Sequence, residues 1–417
     1  MLNSIIFFVY FLIIGFFILK YSSNKIINLS RLDCLIIFSI KVTVGVLYAN
    51  YFTTQDQIVN ADTWTYFIDS KLETDFLVQN PVGFVKDLFT LKYQSSGGLF
   101  SSTYSYWNDL KANFFIKILA VLNLLSNKNY YVNLLFFNWF FLYGGLLLFK
   151  LANEYYEIKK HWLLISIFLA PSALFWCSAV HKDGIVFTAS VALIYCFIKI
   201  INTKGKLKHY FYFASAALVL FALRNYYLLA IFPALMAYFL VIKLKFKSGI
   251  VFTVIIAAFF GILFVSCMYK PIAFIANSIV EKHNDFSVLE GNSKFATPAL
   301  NATAFSLINY FPVALKVALL HPLVNIHLGL KYFLVGFENL VYLLLIIVSS
   351  LKLLFTNTKS NPLVHTLFSI SFLLSMFIGY IVCFDAAIIR YRSCFLPFLL
   401  VACVLVLFGK PKNNFIN

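Results

Sequence analysis

Residues 162–201 read WLLISIFLAPSALFWCSAVHKDGIVFTASVALIYCFIKII, and this stretch decides the fold. It holds two apolar runs, Trp162–Val180 and Gly184–Ile201, with only His181, Lys182 and Asp183 between them. A helix that crosses a bilayer needs about 20 predominantly apolar residues, with a tolerated range near 17–25. Both runs meet that length, so one spanning helix ends and the next begins at a tight turn. Working outward, the pattern recurs at Ser4–Leu19, Leu32–Phe52, Tyr131–Phe149, Tyr210–Leu223 and Tyr226–Ile242, then at Gly249–Met268, Tyr332–Leu351, Thr366–Phe384 and Ser393–Phe408. The expectation is an all-α polytopic membrane bundle of about 11 transmembrane helices, forming a single transmembrane domain over residues 1–417. Ser4–Leu19 reads as a retained helix, because it lacks a basic leader and a small-residue cleavage site.

Composition agrees. The chain is 62% hydrophobic and only 12% charged, whereas a soluble domain is about half apolar and a quarter charged. The net charge of +17 does not point to nucleic acid, because the lysines sit in short clusters between apolar runs. Lys20, Lys25 and Arg31 form one cluster, Lys150, Lys159 and Lys160 another, and Lys204, Lys206 and Lys208 a third. Lys243, Lys245 and Lys247, then Lys352 and Lys359, then Lys410 and Lys412 complete the series. They fall on alternate connections, which predicts a cytoplasmic C-terminus and an outside N-terminus. Two outer segments are long, residues 53–130 and 269–331. Each holds an amphipathic stretch too short to span, Phe114–Leu125 and Phe311–Leu320, expected to lie on or dip into the outer membrane face. The seven cysteines lie in or beside apolar runs with no metal spacing and read as small buried hydrophobes. No internal repeat is present, which weakens a transporter built from inverted halves.

Ionisable groups are expensive near the membrane, so they carry the information. Here they gather at the outer helix ends. Asn60-Ala-Asp62-Thr-Trp64-Thr-Tyr66 follows the second helix. An acid there can act as a general base on a sugar hydroxyl or join a divalent cation, and the aromatic rings can stack on a sugar. The same Asp62 reads equally as a helix N-cap. His181, Lys182 and Asp183 can bind phosphate or pyrophosphate; equally, Asp183 can cap a helix and Lys182 can snorkel. Arg224-Asn-Tyr-Tyr227 fills another outer turn, where an arginine forks onto phosphate oxygens or simply anchors an aromatic belt. Arg390-Tyr391-Arg392 precedes the last helix, and two arginines there run against the positive-inside bias. Together they could grip a lipid diphosphate.

Lys41 and Glu338 lie within predicted spans and are expected to pair with each other. His321-Pro322 reads as structural, and Asn301-Ala-Thr303 matches a glycosylation triplet of a kind common by chance. There is no Gly-rich phosphate loop, HExxH, GxSxG or zinc spacing.

The combination of ADTWTY, PSALFWCSAVHKDG, ALRNYY and IIRYRSCFLPFL resembles bacterial multi-pass proteins grouped with polyprenyl-dependent glycosyltransferases of the GT-C type and with O-antigen or exopolysaccharide polymerases. The resemblance spans most of the chain and rests on short motifs. GT-C enzymes usually carry their key acid in the first large outer loop, and Asp62 is the matching position. Polymerases of the EpsG type tend to have Gly-x-Asp-x-x-x-Tyr there; this chain keeps Asp62 and Tyr66 at that spacing with Asn60 in place of Gly. The resemblance implies a bacterial inner-membrane transferase of lipid-linked sugars, with a polymerase or a flippase as alternatives. It implies Asp62 as catalytic base, with Tyr66, His181, Lys182, Asp183, Arg224, Arg390 and Arg392 around the lipid-linked donor. A divalent cation stays open, and the expected partners are that donor and membrane lipids.

Overall fold

Apolar segments of this length meet hydrocarbon only as helices or closed barrels, because an unpaired backbone group there costs several kcal/mol. The computed structural model describes residues 2–21, 29–54, 61–89, 106–203, 205–291, 293–323, 330–355 and 361–412. Asn60, Lys25, Lys204 and Lys359 lie outside the described residues. In chain order the helices are α1 (Leu2–Tyr21), α2 (Arg31–Thr54), α3 (Asp62–Gln79), α4 (Pro81–Lys86), α5 (Tyr106–Ser126), α6 (Tyr130–Tyr155), α7 (Lys160–Leu164), α8 (Pro171–Trp176) and α9 (Lys182–Thr203). They continue as α10 (Leu207–Leu244), α11 (Ser248–Ser266), α12 (Phe274–Val288), α13 (Ala304–Leu320), α14 (Leu330–Phe355), α15 (Pro362–Ile381), α16 (Asp385–Ser393) and α17 (Leu396–Phe408).

Among the described residues seven helices are long and apolar enough to cross a membrane: α2, α6, α9, α10, α11, α14 and α15. The pair α16–α17, bent by 63°, makes an eighth if counted as one broken span. The architecture is that of an all-α, multi-pass membrane protein. Burial separates the helices into two kinds. In α6, 78% of the apolar window is buried in protein, against 17% in α11 and 22% in α14. Helices that are apolar all round yet bury so little present their remaining surface to hydrocarbon.

Four expected spans come out differently. The apolar stretch of α1 falls among the shorter helices. The segment Trp162–Val180 is not one helix: α7 passes into a π-helical turn at Ile165–Leu169, the chain breaks at Ala170, and α8 starts at Pro171. Proline has no N–H to donate and its ring collides with the preceding turn, so the helix must stop before it. Irregular backbone at this depth needs internal partners. Glu338 supplies one, accepting from the Ser172 N–H at 2.9 Å and from its hydroxyl at 3.1 Å.

The segments Tyr210–Leu223 and Tyr226–Ile242 both lie in α10, which breaks at Arg224 (φ −153°, ψ 78°). The chain reverses there. Arg224 pairs with Asp183 at the start of α9, while the Tyr238 hydroxyl accepts from Asn202 at the end of α9, at 2.8 Å. A straight helix would carry Tyr238 about 21 Å past Arg224 and away from Asn202. The two arms of α10 therefore run antiparallel along α9.

Opposite helix ends differ in chemistry. The starts of α3, α6 and α9, the α10 tip and α16 share one end. The other gathers Lys160 on Asp33 at 3.0 Å, Lys199 on Glu154 at 2.8 Å, and the antiparallel pair Tyr156–Glu157 with Lys410–Pro411. The amphipathic stretch Phe114–Leu125 lies in α5, packed on α3. Phe311–Leu320 lies in α13, packed on α15.

Candidate functional site

The turn after α8 is fixed by groups that reach it from neighbouring helices. Lys41 of α2 donates to the Ser178 hydroxyl at 2.9 Å and to the Cys177 carbonyl at 3.3 Å. Asn138 of α6 donates to the Ser178 carbonyl at 2.9 Å. Gly45 makes this approach possible, since a Cβ there would lie 2.4 Å from the same carbonyl. Lys41 and Glu338 therefore do not pair: each satisfies backbone at a different break, Lys41 after α8 and Glu338 before it. Thr63 then ties α3 to this turn, donating to the Val180 carbonyl at 2.9 Å and lying 2.7 Å from the Tyr130 hydroxyl.

That anchoring brings Asp62 against His181, and α16 delivers Arg390 between them. Arg390 Nη1 lies 2.8 Å from Asp62 Oδ2, and its Nε lies 3.3 Å from Asp183 Oδ2. His181 Nδ1 stands 3.0 Å from Asp183 Oδ2, while its Nε2 contacts Arg390 and lies 3.8 Å from Asp62. With the Nδ1 proton given to Asp183, Nε2 is the atom left to accept from Arg390. Arg224 forks onto Asp183 and onto the Tyr226 hydroxyl at 2.6 Å, with its face 4.6 Å from the Tyr391 ring centroid. Lys182 donates to the Tyr66 hydroxyl at 3.3 Å. Asp62, Tyr66, His181, Lys182, Asp183, Arg224 and Arg390 thus form one cluster.

No known family model, no curated protein and no solved structure matches this chain.

The cluster is graded from closed to open. Asp183 and His181 are buried at 0% and 1% exposure, Arg390 reaches 17%, and Asp62 is 44% exposed. Arg224 is buried and commits its two terminal nitrogens to Asp183 and Tyr226, so it holds Asp183 and the α10 tip rather than facing an opening. Asp62 is the open carboxylate. Its partial burial pushes its pKa up, but the Arg390 guanidinium at 2.8 Å, with the His181 ring beside it, outweighs that and holds it below the usual carboxylate range. Tyr66 is pushed up to about 12 by burial and by the Asp62 charge, so it keeps its proton. Since Lys182 donates to its oxygen, the Tyr66 O–H is left to donate outward.

Arg392 stands elsewhere. It donates to Asn339 at 2.6 Å and to the His321 carbonyl at 3.3 Å. The reason is helical: residues two apart on a helix point to opposite sides, and α16 is helical through both arginines. The pair cannot close on one phosphate. Trp64 also differs from expectation, since one face of its ring already stacks on Tyr130 at 4.1 Å. His321 pairs with Asp385 at 2.9 Å and stacks on Phe295, and Thr303 caps α13.

Lys111 was missed. It sits on α5, which Lys117 fastens through Glu73 at 2.8 Å and Asp87 at 3.2 Å. Lys117 is thereby neutralised, while Lys111 has no carboxylate at ion-pair distance among the described residues. Its pKa is pushed down to about 8 by burial, with the charges of Lys282 and Arg224 adding to the shift. The available signal was its position, a lysine in the segment where the acids predominate.

A divalent cation fits these residues poorly. Among the described residues no three His, Cys, Asp or Glu side chains are grouped to hold one. The two carboxylates are already met by two guanidinium groups, with Lys182 beside them and Lys111 within electrostatic reach of Arg224, so a dication would enter an excess of positive charge. The same excess suits an anion with several oxygens.

Proposed function

We propose that this chain is a membrane-embedded glycosyltransferase that takes its sugar from a polyprenyl-phosphate- or diphosphate-linked donor at the outer face of a bacterial inner membrane. The observation that carries the reading is Asp62: one solvent-facing carboxylate, held by Arg390, at the rim of a buried cluster with surplus cations. Catalysis by group transfer from a phosphorylated lipid needs a base for the acceptor hydroxyl and fixed positive charge where the leaving phosphate develops its charge.

Arg390 links the two tasks. While it holds Asp62, the carboxylate is a weak base. A donor phosphate that draws the Arg390 guanidinium onto its own oxygens releases Asp62 and raises its basicity. Asp62 then takes the proton as the acceptor oxygen bonds to the sugar carbon, the bond from that carbon to the phosphate oxygen breaks, and the polyprenyl phosphate leaves with the electron pair. Lys182, Lys111 and Arg390 stabilise it, Tyr66 donates its O–H, and Asp183 with His181 and Arg224 keeps Arg390 in position. Repeat-unit polymerisation remains inside the same site, since Asp62 and Tyr66 lie four apart on one face of α3. Transport is disfavoured because this ionic cluster lies at one helix end rather than along a midplane path.

The topology belongs to this reading. Counting the α10 arms separately, with α1, the broken 160–176 segment and the α16–α17 pair as one crossing each, gives about 11 crossings. The basic end is then cytoplasmic and the cluster outside. The test is Asp62→Asn in proteoliposomes. Sugar transfer should fall by about 10²–10⁴-fold, while affinity for a long-chain polyprenyl diphosphate holds or tightens as Arg390 is freed. Unimpaired transfer removes Asp62 as base, and a wild-type protein that ignores the diphosphate removes the whole reading.

A further inference from the structure

A second feature runs along α9 from Ile185, two residues past Asp183, to Cys196. A cavity of about 750 Å³ opens between α6, α9 and the first arm of α10, within the about 300–1,000 Å³ usual for ligand sites. Its walls are small and apolar, with Ile185, Ala189 and Ala192 on α9 facing Ala216 and Val219 on α10. Phe140, Tyr143 and Tyr212 line it with exposures of 44%, 43% and 55%, so the groove opens sideways.

One end of the groove is basic. Lys150, Lys208 and His209 line it, and Lys199 and Lys206 lie within electrostatic reach of His209. Glu154 is the acid there, and Lys199 takes it at 2.8 Å. Lys150 and Lys208 have no carboxylate at ion-pair distance among the described residues. From Ile185 to Cys196 the groove runs about 17 Å by helical rise, close to half of a hydrocarbon core about 30 Å thick. A cationic rim above an apolar slot one leaflet deep is complementary to a lipid with a negative headgroup.

We propose that this groove holds an anionic glycerophospholipid, its headgroup on Lys150, Lys208 and His209 and an acyl chain laid along α9. The polyprenyl donor of the other end would put its phosphate at Asp62 and leave this rim unmatched. The lipid braces α6, α9 and α10, the helices that position Lys182, Asp183 and Arg224.

The test uses the full chain, delipidated in mild detergent and titrated with phosphatidylglycerol or phosphatidylcholine, with adducts read by native mass spectrometry and unfolding read by heat. Phosphatidylglycerol should bind at least tenfold more tightly than phosphatidylcholine and raise the unfolding temperature. Lys150→Gln with Lys208→Gln should remove that preference. Ala192→Trp, which fills the slot without touching charge, should reduce retention of either lipid. Equal binding of the two lipids, or a preference that survives both variants, overturns the site. Displacement of phosphatidylglycerol by uncharged polyprenol overturns it too, giving the groove to the donor's tail. Asp62→Asn should leave the preference for phosphatidylglycerol and the rise in unfolding temperature that it causes unchanged, which separates this proposal from the transferase reading.

Discussion

α16 gives one arginine to each of two buried polar networks, and the two are built differently. Arg390 enters a cluster of formal charges: two carboxylates, two guanidinium groups, Lys182 beside them, and Asp62 at the open edge. Arg392, at 5% exposure, enters a closed network in which it meets neutral acceptors, Asn339 and the His321 carbonyl. Nearby, Glu338 accepts from Ser172 and Tyr342. The cavity beside Arg392 holds about 10 Å³, no more than about one water. The first network has surplus charge and a way in. The second has neither, and its work is to satisfy a helix broken by Pro171. Burial of an arginine in a membrane protein is therefore not by itself a sign of function; the balance of its partners and an open edge are.

The sharpest way to break this comparison is to remove one acid from each network. Asp183→Ala leaves Arg224 and Arg390 without their shared buried partner and should cost about 3–5 kcal/mol of stability. Adding Arg224→Met should recover part of it, because both charges are then gone. Glu338→Gln keeps an acceptor for Ser172 and should cost about 1 kcal/mol. Thermal unfolding in mild detergent measures all three. Equal losses from the two single variants would mean the networks do not differ as described.

A middle-sized effect separates the arginines. Arg390→Lys keeps the charge but loses the fork that reaches Asp62 and Asp183 together, so polyprenyl diphosphate affinity should fall about tenfold, near 1.4 kcal/mol. Arg392→Lys should leave that affinity unchanged and lower stability alone. A binding titration on both variants decides it; an affinity loss in Arg392→Lys would join the two networks into one site.

Sequence reading reached the fold through apolar run length and reached the cluster through the rule that charge at a membrane is costly. Asp62, His181, Asp183, Arg224 and Arg390 lie at helix ends in the sequence, and they meet because α3, α9, α10 and α16 end at the same level. What it missed depended on geometry that spacing does not carry. Arg390 and Arg392 look like a pair until α16 is seen to be helical through both. Lys41 and Glu338 look complementary until each is seen to serve a chain break instead. The reversal at Arg224 was legible as two short runs, because the polar Arg224-Asn225 interrupts them, whereas the break at Pro171 was hidden inside an apolar run of spanning length.

The smallest predicted effect tests how far the open edge extends. Lys111 loses its proton as the pH rises through about 8, so its help to a bound diphosphate is present below that value and lost above it. Two unit charges separated by one contact layer interact by about 1 kcal/mol in a water-like medium, worth a few-fold in affinity. Diphosphate affinity measured across this range should therefore fall a few-fold as the pH rises. Lys111→Arg, whose guanidinium stays charged throughout, should make the profile shallower than that of the wild type, and Lys111→Gln should start at a weaker level and lose less with pH than the wild type does. Phosphate monoester ionisation is complete near pH 7, so it would strengthen rather than weaken binding with rising pH and cannot imitate the expected slope. If the wild-type profile is flat and Lys111→Gln binds equally well, the anion stops at Lys182 and Arg390, and α5 only lines the approach.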